Sequence, residues 1–329
     1  MRLLVFEFIT GGGLLNEPLP ECLCHEGHLM RAALLEDLRS LSLSIIVLND
    51  ARISEPLLEG AVWSIKADDD LVHILQAKQE EYDAVWLITP ETGGVLVEWQ
   101  QFFLDLSKQV CLSSLSALKL CQDKLATLSH LTAVGLACVP SQEYKQFKAI
   151  SGEWVLKPKD SVGCEQTYYL ATEAHLESVL ACLSTDTEYL LQPYIAGKVF
   201  SLSALFYQGT ARFICCNQQQ MQLDKQQFQL LACDVNVHTE QAASYQFLCT
   251  QIAQAIPELW GYIGIDFIET ENGERLILEI NPRLTSSYAG IKAATGINIA
   301  EQILALLDGK VAPLMRNKQQ TIRIDIHKG

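Results

Sequence analysis

The 329-residue chain predicts a protein of mixed α/β and α+β class, with a parallel α/β unit first and an antiparallel, strand-rich region last. Strand-like and helix-like segments alternate over roughly the first hundred residues, whereas from about Ser113 short elements give way to longer β-rich runs. The length exceeds that of one ordinary core and favours two or three packed units. We place these units at residues 1–112, 113–190 and 191–329.

The first unit has the alternation expected of a parallel sheet. Three glycines, Gly11–Gly13, follow its first strand. They lack the Gly-x-Gly-x-x-Gly spacing of a dinucleotide-binding turn, so a flexible loop is favoured and a phosphate site is the alternative. The predicted elements are strands at Arg2–Ile9, Ser44–Leu48 and Ala84–Thr89, and helices at Gly27–Ser40 and Asp69–Glu80.

The second unit is predicted to be a compact α+β region and the third to be rich in strands. In the third, the glutamine-rich stretch Asn217–Gln229 contains spaced apolar residues, which favour a strand–turn–strand over a disordered tract. The predicted elements are two short helices within Ser116–Leu136, strands at Trp154–Lys157, Gln166–Leu170 and Tyr189–Tyr194, a helix at Thr172–Leu183, and a final helix at Asn298–Leu307.

Composition and charge narrow the function. With 49% hydrophobic and 19% charged residues the chain is typical of a globular protein, and its net charge of −15 argues against nucleic acid or acidic lipid as a partner. Eleven cysteines include Cys22-Leu-Cys24-His25 but no paired Cys-x-x-Cys knuckles, which favours reduced thiols over a zinc site. No leader-like segment and no apolar run long enough to span a bilayer appears, so we expect a cytoplasmic protein.

A hairpin around Asn272-Gly273 is the strongest local signal in the sequence. β-rich runs flank these residues, which are the favoured pair of a two-residue type I′ turn. That turn places Glu271 opposite Glu274. Counted back along both strands, the same register places Asp266 directly opposite Glu279.

Two opposed carboxylates predict a metal site. Like charges across a ladder repel by up to about 1 kcal/mol, and Mg²⁺ relieves the repulsion because it prefers carboxylate, phosphate and water oxygens. Asn281 lies on the same strand face as Glu279 and adds a neutral oxygen. Pro282 ends the strand and releases Arg283 beside the metal, where a guanidinium suits phosphate. A solvent-exposed hairpin with incidental acids is the alternative, which the flanking apolar residues disfavour.

A strand that carries Lys157 and Lys159 predicts cations over a triphosphate. By strand parity both lysines project to one side, and the loop Asp160–Gly163, which includes Ser161, is placed to close its amides over phosphate oxygens. Two solvated lysines are the alternative.

The segment Gln192–Ile195 predicts the edge of an adenine site. A strand interrupted by Pro193 offers unpaired backbone groups, with Tyr194 and Ile195 as apolar walls. The sequence leaves open which of Gln192, Tyr194 and Ile195 makes the contact, and a plain buried strand is the alternative.

In their order along the chain, these motifs resemble those of the ATP-grasp superfamily. Glu279-Ile-Asn-Pro-Arg283 resembles its terminal metal-binding motif, and Leu190–Gly197 resembles its hinge strand. Lys124, in Cys121-Gln-Asp-Lys124, resembles its nucleotide-contacting lysine, although the loop with the single Gly163 is poorer in glycine than usual. The resemblance implies a pre-ATP-grasp domain, a lid and a C-terminal subdomain that holds the metal, at the three ranges given above.

The resemblance also implies the chemistry of an ADP-forming ligase. ATP phosphorylates a carboxylate, and an amine then displaces phosphate from the acyl phosphate to form an amide. The implied cofactors are ATP and Mg²⁺, or Mn²⁺ in its place, and Arg283 and Lys157 are the catalytic candidates. The implied nucleotide contacts are Lys124, Lys157, Lys159, Ser161, Gly163, Gln192, Pro193, Tyr194 and Ile195, and the metal ligands are Asp266, Glu279 and Asn281.

A narrower resemblance concerns the substrates. Leu4–Phe8 with the three glycines, Glu26–Met30, Asn217–Gln219 and Asn281–Ser287 resemble the tyramine–glutamate ligases of methanofuran biosynthesis and their methylotroph relatives. This implies a γ-glutamyl amide of glutamate with tyramine or tyrosine, with Thr285–Ser287 either lining the acceptor pocket or capping a helix. Another amino-acid or peptide ligase and a non-catalytic nucleotide-binding regulator are the alternatives, and a homodimer is compatible with the sequence.

Overall fold

The computed structural model describes residues 1–54, 61–144, 152–181, 183–184 and 187–326. These residues form two β-sheets with helices packed on their faces. One residue of the helix predicted at Thr172–Leu183, Cys182, lies outside the described residues. No helix among the described residues has the length and apolarity needed to cross a membrane.

The first sheet has five parallel strands, which confirms the α/β prediction. Its order is β3-β2-β1-β4-β5. Its central strand is covered on both faces, with Leu3 and Val5 in one core and Leu4 and Phe6 in the other, as parallel sheets require. The elements are β1 (Arg2–Glu7), α1 (Glu21–Leu38), β2 (Ser44–Asp50), β3 (Ala61–Ile65), α2 (Leu71–Ala77), β4 (Ala84–Ile88), α3 (Val95–Asp105) and β5 (Gln109–Val110).

Two predictions in this unit change at closely packed glycines. The helix predicted to start at Gly27 starts at Glu21 and runs through the glycine, where a Cβ would lie 2.6 Å from the Glu7 carboxylate. The loop Gly11–Gly13 is a compact turn rather than a flexible one: the Gly13 amide donates to Phe8 at 2.8 Å, and a Cβ on Gly11 would lie 2.4 Å from the Glu7 carbonyl oxygen. Strand β3 and helix α3 were not predicted.

The second sheet has ten strands, all paired antiparallel, as the class prediction expects for the rest of the chain. The elements are α4 (Leu115–Gln122), α5 (Lys124–Ala133), β6 (Gln142–Glu143), β7 (Trp154–Pro158), β8 (Tyr168–Leu170), α6 (Glu173–Leu180), β9 (Tyr189–Pro193), β10 (Gly197–Tyr207), β11 (Thr210–Asp224), β12 (Gln227–Val237), α7 (Ala242–Ala255), β13 (Gly261–Thr270), β14 (Arg275–Asn281), α8 (Tyr288–Thr295), α9 (Ile299–Leu307) and β15 (Ile322–Asp325). The strand order is β14-β13-β10-β11-β12-β8-β7-β9-β6, with β15 beside β12.

The strand-rich prediction for the last unit holds only in part. The glutamine-rich stretch is a strand–turn–strand as predicted, with Lys225 and Gln226 at positive φ (43° and 72°) between β11 and β12. The predicted final helix is present as α9, but helices α7 and α8, which precede it, were not predicted. Helix α7 buries Tyr245, Cys249 and Ile252, a spacing of one helical face that the sequence already carried.

The hairpin of β13 and β14 has the predicted carboxylate register but a different turn. The Gly273 amide donates to the Thr270 carbonyl oxygen at 2.9 Å, and the Thr270 amide to Glu274 at 2.9 Å. Thr270 therefore pairs with Glu274, and the predicted type I′ turn with Glu271 opposite Glu274 was wrong. An irregularity beside Leu278 adds one residue to β14, which restores the register further along the hairpin.

Helix α1 joins the two sheets. The carboxylate of Asp37 accepts a hydrogen bond from the Tyr288 hydroxyl of α8 at 2.7 Å and lies 3.2 Å from the Lys292 ammonium. A continuous apolar core runs from one face of the parallel sheet to α8 and α9. The carboxyl ends of β1 and β4 are thereby held against β13 and β14.

Candidate functional site

The site is centred on Asp266 of β13 and Glu279 of β14, which lie directly opposite each other as predicted. Two cavities meet at this carboxylate pair. The lid-side cavity, about 380 Å³, lies between β7, β9 and the strands β11 to β14. The interdomain cavity, about 120 Å³, lies between the carboxyl ends of β1 and β4 and the same hairpin. Both are lined by Gly163, Cys164, Gln219, Asp266 and Glu279.

The two carboxylates have opposite electrostatic environments. Burial and the neighbouring Glu279 raise the pKa of Asp266, whose carboxylate accepts a hydrogen bond from Gln219 at 3.2 Å. Burial also disfavours the charged form of Glu279, but Lys124 and Lys157 outweigh it and lower the pKa of that carboxyl. Glu279 is therefore the carboxyl of the pair that stays ionised, whereas Asp266 is the one that is protonated more easily.

The donor set suits a hard divalent cation. Asn281 lies beside Glu279, and its side-chain amide donates to the Glu279 carboxylate at 3.3 Å. Two carboxylates and an amide oxygen on adjacent strands are the ligand types that Mg²⁺ accepts, and a cation between them would offset their repulsion. In the described part of the chain no cluster of three His, Cys, Asp or Glu is arranged for a metal, and Cys22-Leu-Cys24-His25 forms none.

Two lysines face Glu279 from the lid-side cavity. Lys157 of β7 is buried, and burial lowers its pKa, with Glu279 acting in the opposite direction. Lys124 begins α5, where Asp123 caps the helix, and its ammonium lies 3.4 Å from the Glu279 carboxylate. The same ammonium donates to the carbonyl of Ser161, which ties the loop after β7 to the carboxylate pair.

The parity argument for Lys159 was wrong. Strand β7 ends at Pro158, so its alternation does not extend to Lys159, which does not line the lid-side cavity. Its ammonium instead lies 3.0 Å from Glu188 and 3.5 Å from Glu143. Lys159 is therefore paired with these nearby glutamates rather than with the carboxylate pair.

The loop after β7 takes a tight course despite its shortage of glycine. Gly163 has a φ of +60°, and Cys164 and Gln166 also adopt the left-handed region, at +63° and +50°, where non-glycine residues are strained. The Gly93 amide donates to the side chain of Asp160 at 2.8 Å, which fixes the loop to the first unit. Ser161 and Gly163 both line the lid-side cavity.

The hinge segment Gln192–Ile195 lines the other end of the lid-side cavity. Gln192 is buried, and its amide donates to the Ser141 hydroxyl at 2.8 Å. Tyr194 stacks on Phe228 with ring centres 6.5 Å apart and planes 13° from parallel. The predicted apolar walls are therefore present, and Phe228 is one that the sequence did not reveal.

Arg283 lies at the interdomain cavity, with a partner the sequence did not predict. Its guanidinium donates through Nε to Glu91 at 2.7 Å, and Nη2 lies 2.7 Å from the same carboxylate oxygen. Burial disfavours the charged form, but Glu91 raises the pKa of Arg283. The arginine thus lies close to the metal candidates with its charge already paired.

The residues that sequence reasoning missed share one signal. Glu7 ends β1, and Thr89 and Glu91 follow β4. Ligands of open parallel sheets bind at the carboxyl ends of the strands, so this rule alone points to all three. Glu7 and Thr89 line the interdomain cavity, and Glu91 reaches it through Arg283.

The hydroxyl run Thr285–Ser287 lines the interdomain cavity instead of capping a helix. Ser287 precedes α8 but makes no side-chain cap hydrogen bond. Thr285 shares hydrogen bonds of 2.9 Å with Tyr262 and 3.0 Å with Ser287, and Ser286 donates to Glu26 at 3.0 Å. The pocket-lining alternative is the one that the geometry favours.

Comparison with known proteins decides the family. The ATP-grasp domain matches residues 121–287, about half the chain, and a pre ATP-grasp domain matches residues 43–118. The chain belongs to the ATP-grasp family. At this level the predictions of the fold and of an ATP-dependent enzyme that forms carbon–nitrogen bonds are confirmed.

The relatives of this ATP-grasp protein cover nearly the whole chain. A tyramine–L-glutamate ligase from Methanocaldococcus fervens is 25% identical over 307 residues, 92% of each chain. An ATP-grasp superfamily protein from Archaeoglobus fulgidus superposes with a TM-score of 0.71 at 16% identity, over 99% of this chain and 92% of its own. The biotin carboxylase domain of Hydrogenobacter thermophilus 2-oxoglutarate carboxylase, solved with MgADP, gives 0.70 at 16%, over 97% and 71%.

Proposed function

We propose that this ATP-grasp ligase joins the γ-carboxylate of glutamate to tyramine or tyrosine, in the synthesis of a methanofuran-type cofactor. The curated relative, which spans 92% of each chain, is a tyramine–L-glutamate ligase and supports these substrates. The observation that carries the proposal is the second cavity: a lined interdomain pocket adjoins the carboxylate pair on the side away from the two buried lysines. Such a pair of cavities suits a phosphoryl donor on one side and small organic substrates on the other.

ATP is assigned to the lid-side cavity. Lys124 and Lys157 supply positive charge for the triphosphate, and the loop residues Ser161 and Gly163 close over it. The hinge segment Gln192–Ile195 and the ring of Phe228 supply the groove for the adenine. Lys159 is left out of this assignment because it is engaged with Glu188 and Glu143.

Mg²⁺, or Mn²⁺ in its place, is assigned to Asp266, Glu279 and Asn281. When bound there, the cation neutralises negative charge on the phosphates. The chain prepares this position by opposing two carboxylates, and Lys124 and Lys157 balance the charge on Glu279 until the metal and nucleotide arrive.

The proposed reaction takes place at the carboxylate pair, which lines both cavities. The γ-phosphoryl group passes from ATP to the glutamate carboxylate, giving ADP and an acyl phosphate. The amine nitrogen, as the neutral base, then attacks the acyl carbon, phosphate leaves, and the proton lost from the nitrogen passes to phosphate or to solvent. Lys157 acts on the nucleotide side and Arg283 on the substrate side, and both stabilise charge on the transferred group rather than form covalent bonds.

The test is ADP release with MgATP, glutamate and a panel of amines. We expect ADP release that depends on both substrates, with tyramine or tyrosine giving the fastest rates and a γ-glutamyl amide as the product by mass spectrometry. If dipeptides or other amino-acid amides form faster, the chain is a peptide-type ligase of the same family. If no amine raises ADP release above background, the assignment of these substrates fails.

A further inference from the structure

The turn Glu91–Gly94, which follows β4, contacts the loop after β7. The Gly93 amide donates to the carboxylate of Asp160 at 2.8 Å. The Thr92 hydroxyl donates to the carbonyl oxygen of the same residue at 3.2 Å. Asp160 is therefore held by two hydrogen bonds from the first unit, one to its side chain and one to its backbone.

This turn is itself anchored beside the carboxylate pair. Glu91 is 4% exposed, and its carboxylate lies 2.7 Å from the Arg283 guanidinium. The Gly94 amide donates to the Glu91 carbonyl oxygen at 2.9 Å, which closes the turn. Arg283 follows β14, the strand that carries Glu279. The two donors to Asp160 are therefore positioned relative to that strand.

Lys124 holds the same loop from the other side. Its backbone amide donates to the carbonyl oxygen of Lys159 at 3.0 Å, and its ammonium donates to the carbonyl oxygen of Ser161. The same ammonium lies 3.4 Å from Glu279. Asp160 lies between the two residues that Lys124 holds. The contacts thus form a closed ring, which starts at Glu279 and returns to the end of β14 through the turn.

The loop needs support from outside because its own backbone is strained. Cys164 and Gln166 adopt the left-handed region, and such conformations persist only where the surrounding structure determines them. Ser161 and Gly163 line the lid-side cavity, whereas Asp160 lines neither of the two cavities at the carboxylate pair. Asp160 therefore acts on that cavity through the residues that follow it.

We propose that Asp160 is a positioning residue, which holds the loop after β7 over the lid-side cavity through its hydrogen bonds to the turn Glu91–Gly94. This inference rests on the proposed assignment of ATP to that cavity. The acceptor oxygen matters rather than the charge, because a carboxylate close to a triphosphate repels it. Asparagine at this position keeps an acceptor for the Gly93 amide, whereas alanine removes it.

The first measurement is the binding of MgATP by calorimetric titration. In Asp160→Ala we expect the Kd for MgATP to rise about fivefold, because a hydrogen bond that orders the loop is lost. In a coupled ADP assay, kcat/KM for MgATP should fall by a similar factor. Asp160→Asn should stay within about twofold of wild type in both measurements, because the acceptor is kept.

The second measurement is hydrogen exchange in the nucleotide-free protein. Peptides that cover residues 159–167 should exchange about threefold faster or more in Asp160→Ala, and close to the wild-type rate in Asp160→Asn. The matched control is Glu165→Ala, an exposed acid of the same loop whose amide, rather than its carboxylate, bonds to Val162. It should leave the Kd and the exchange within about twofold of wild type.

Unaltered exchange of the loop in Asp160→Ala overturns the proposal. Equal losses in Asp160→Ala and Asp160→Asn also overturn it, since the effect would then come from the charge. Should Asp160→Ala not fold by circular dichroism, Thr92→Val removes the other donor, and exchange as slow as in wild type then overturns the proposal. Should wild type bind no MgATP, the proposed nucleotide assignment fails, and loop exchange still decides whether Asp160 holds the loop.

Discussion

The two cavities on either side of the carboxylate pair differ in charge and in construction. The lid-side cavity, about 380 Å³, has Lys124 and Lys157 beside Glu279. The interdomain cavity, about 120 Å³, has Glu7 and Glu26 and an arginine that is already paired. The chain thus places lysines on the side proposed for a triphosphate and glutamates on the side proposed for the two organic substrates, and the carboxylate pair lines both cavities.

The difference in construction explains why the sequence predicted the residues of the lid-side cavity better than those of the interdomain cavity. Every strand that lines the lid-side cavity belongs to the antiparallel sheet, and its residues fall in short motifs. The interdomain cavity lies between the two sheets, where the end of β1 comes close to the hairpin, and α1 packs on α8 through Asp37 and Tyr288. The separation of lysines and glutamates between the two cavities therefore depends on the assembled domains and not on either one alone.

The largest expected effect comes from substituting Glu279, which lines both cavities. Glu279→Ala removes a proposed metal ligand and the carboxylate that balances Lys124 and Lys157. ADP release should fall by about a hundredfold or more, since preorganised charge at the transferred group is lost. A coupled ADP assay measures the rate, and circular dichroism checks the fold. Glu274→Ala, at the exposed tip of the same hairpin, is the matched control, and undiminished ADP release in Glu279→Ala would contradict the metal assignment.

A second, smaller effect tests the lid-side cavity with a lysine pair. Lys157→Met keeps the aliphatic stem but removes the buried ammonium, so the Kd for MgATP should rise about tenfold. Lys159→Met removes an ammonium that is engaged with Glu188 and Glu143 outside the cavity, and should change the Kd by less than about twofold. Calorimetric titration measures both. Equal losses in the two variants would show that the cavity assignment of these lysines is mistaken.

The smallest effect concerns the stability of the metal-free protein. Because the pKa of Asp266 is raised in the folded state, the folded chain is penalised above that pKa relative to the unfolded chain, and the penalty disappears below the unfolded value of about 3.9. With EDTA present, Asp266→Asn should therefore be more stable than wild type at pH 8, by up to about 1 kcal/mol. The advantage should shrink as the pH falls toward 4. Urea denaturation at several pH values measures it.

Added Mg²⁺ provides a second comparison of the unfolding free energies of wild type and Asp266→Asn. It should raise the unfolding free energy of wild type by mass action and that of Asp266→Asn much less, although the variant loses ligase activity. If the variant is less stable than wild type in EDTA at pH 8, then repulsion between Asp266 and Glu279 does not destabilise the metal-free protein, and this prediction is wrong.

The hairpin shows how far local sequence determines a site. Its two strands and the opposition of Asp266 to Glu279 followed from the Asn272-Gly273 signal. That opposition holds because the turn and β14 each differ from the prediction by one residue, and the two differences offset each other. The turn places Gly273 in the left-handed region at +79° with Thr270 opposite Glu274, and the extra residue beside Leu278 corrects the offset. Bulges depend on neighbouring strands, so their positions are not encoded by the turn residues alone.

By itself the sequence determined the fold class and the two opposed carboxylates, because strand alternation and turn preference act between neighbouring residues. The order of the ATP-grasp motifs came from its resemblance to that family. Only the tertiary structure decided the partners. It paired Arg283 with Glu91, far apart in the chain, and moved Lys159 out of the site by ending β7 at Pro158. It also brought Glu26 to Ser286. Such contacts depend on how the two sheets and their helices pack against each other, and no local pattern carries that information.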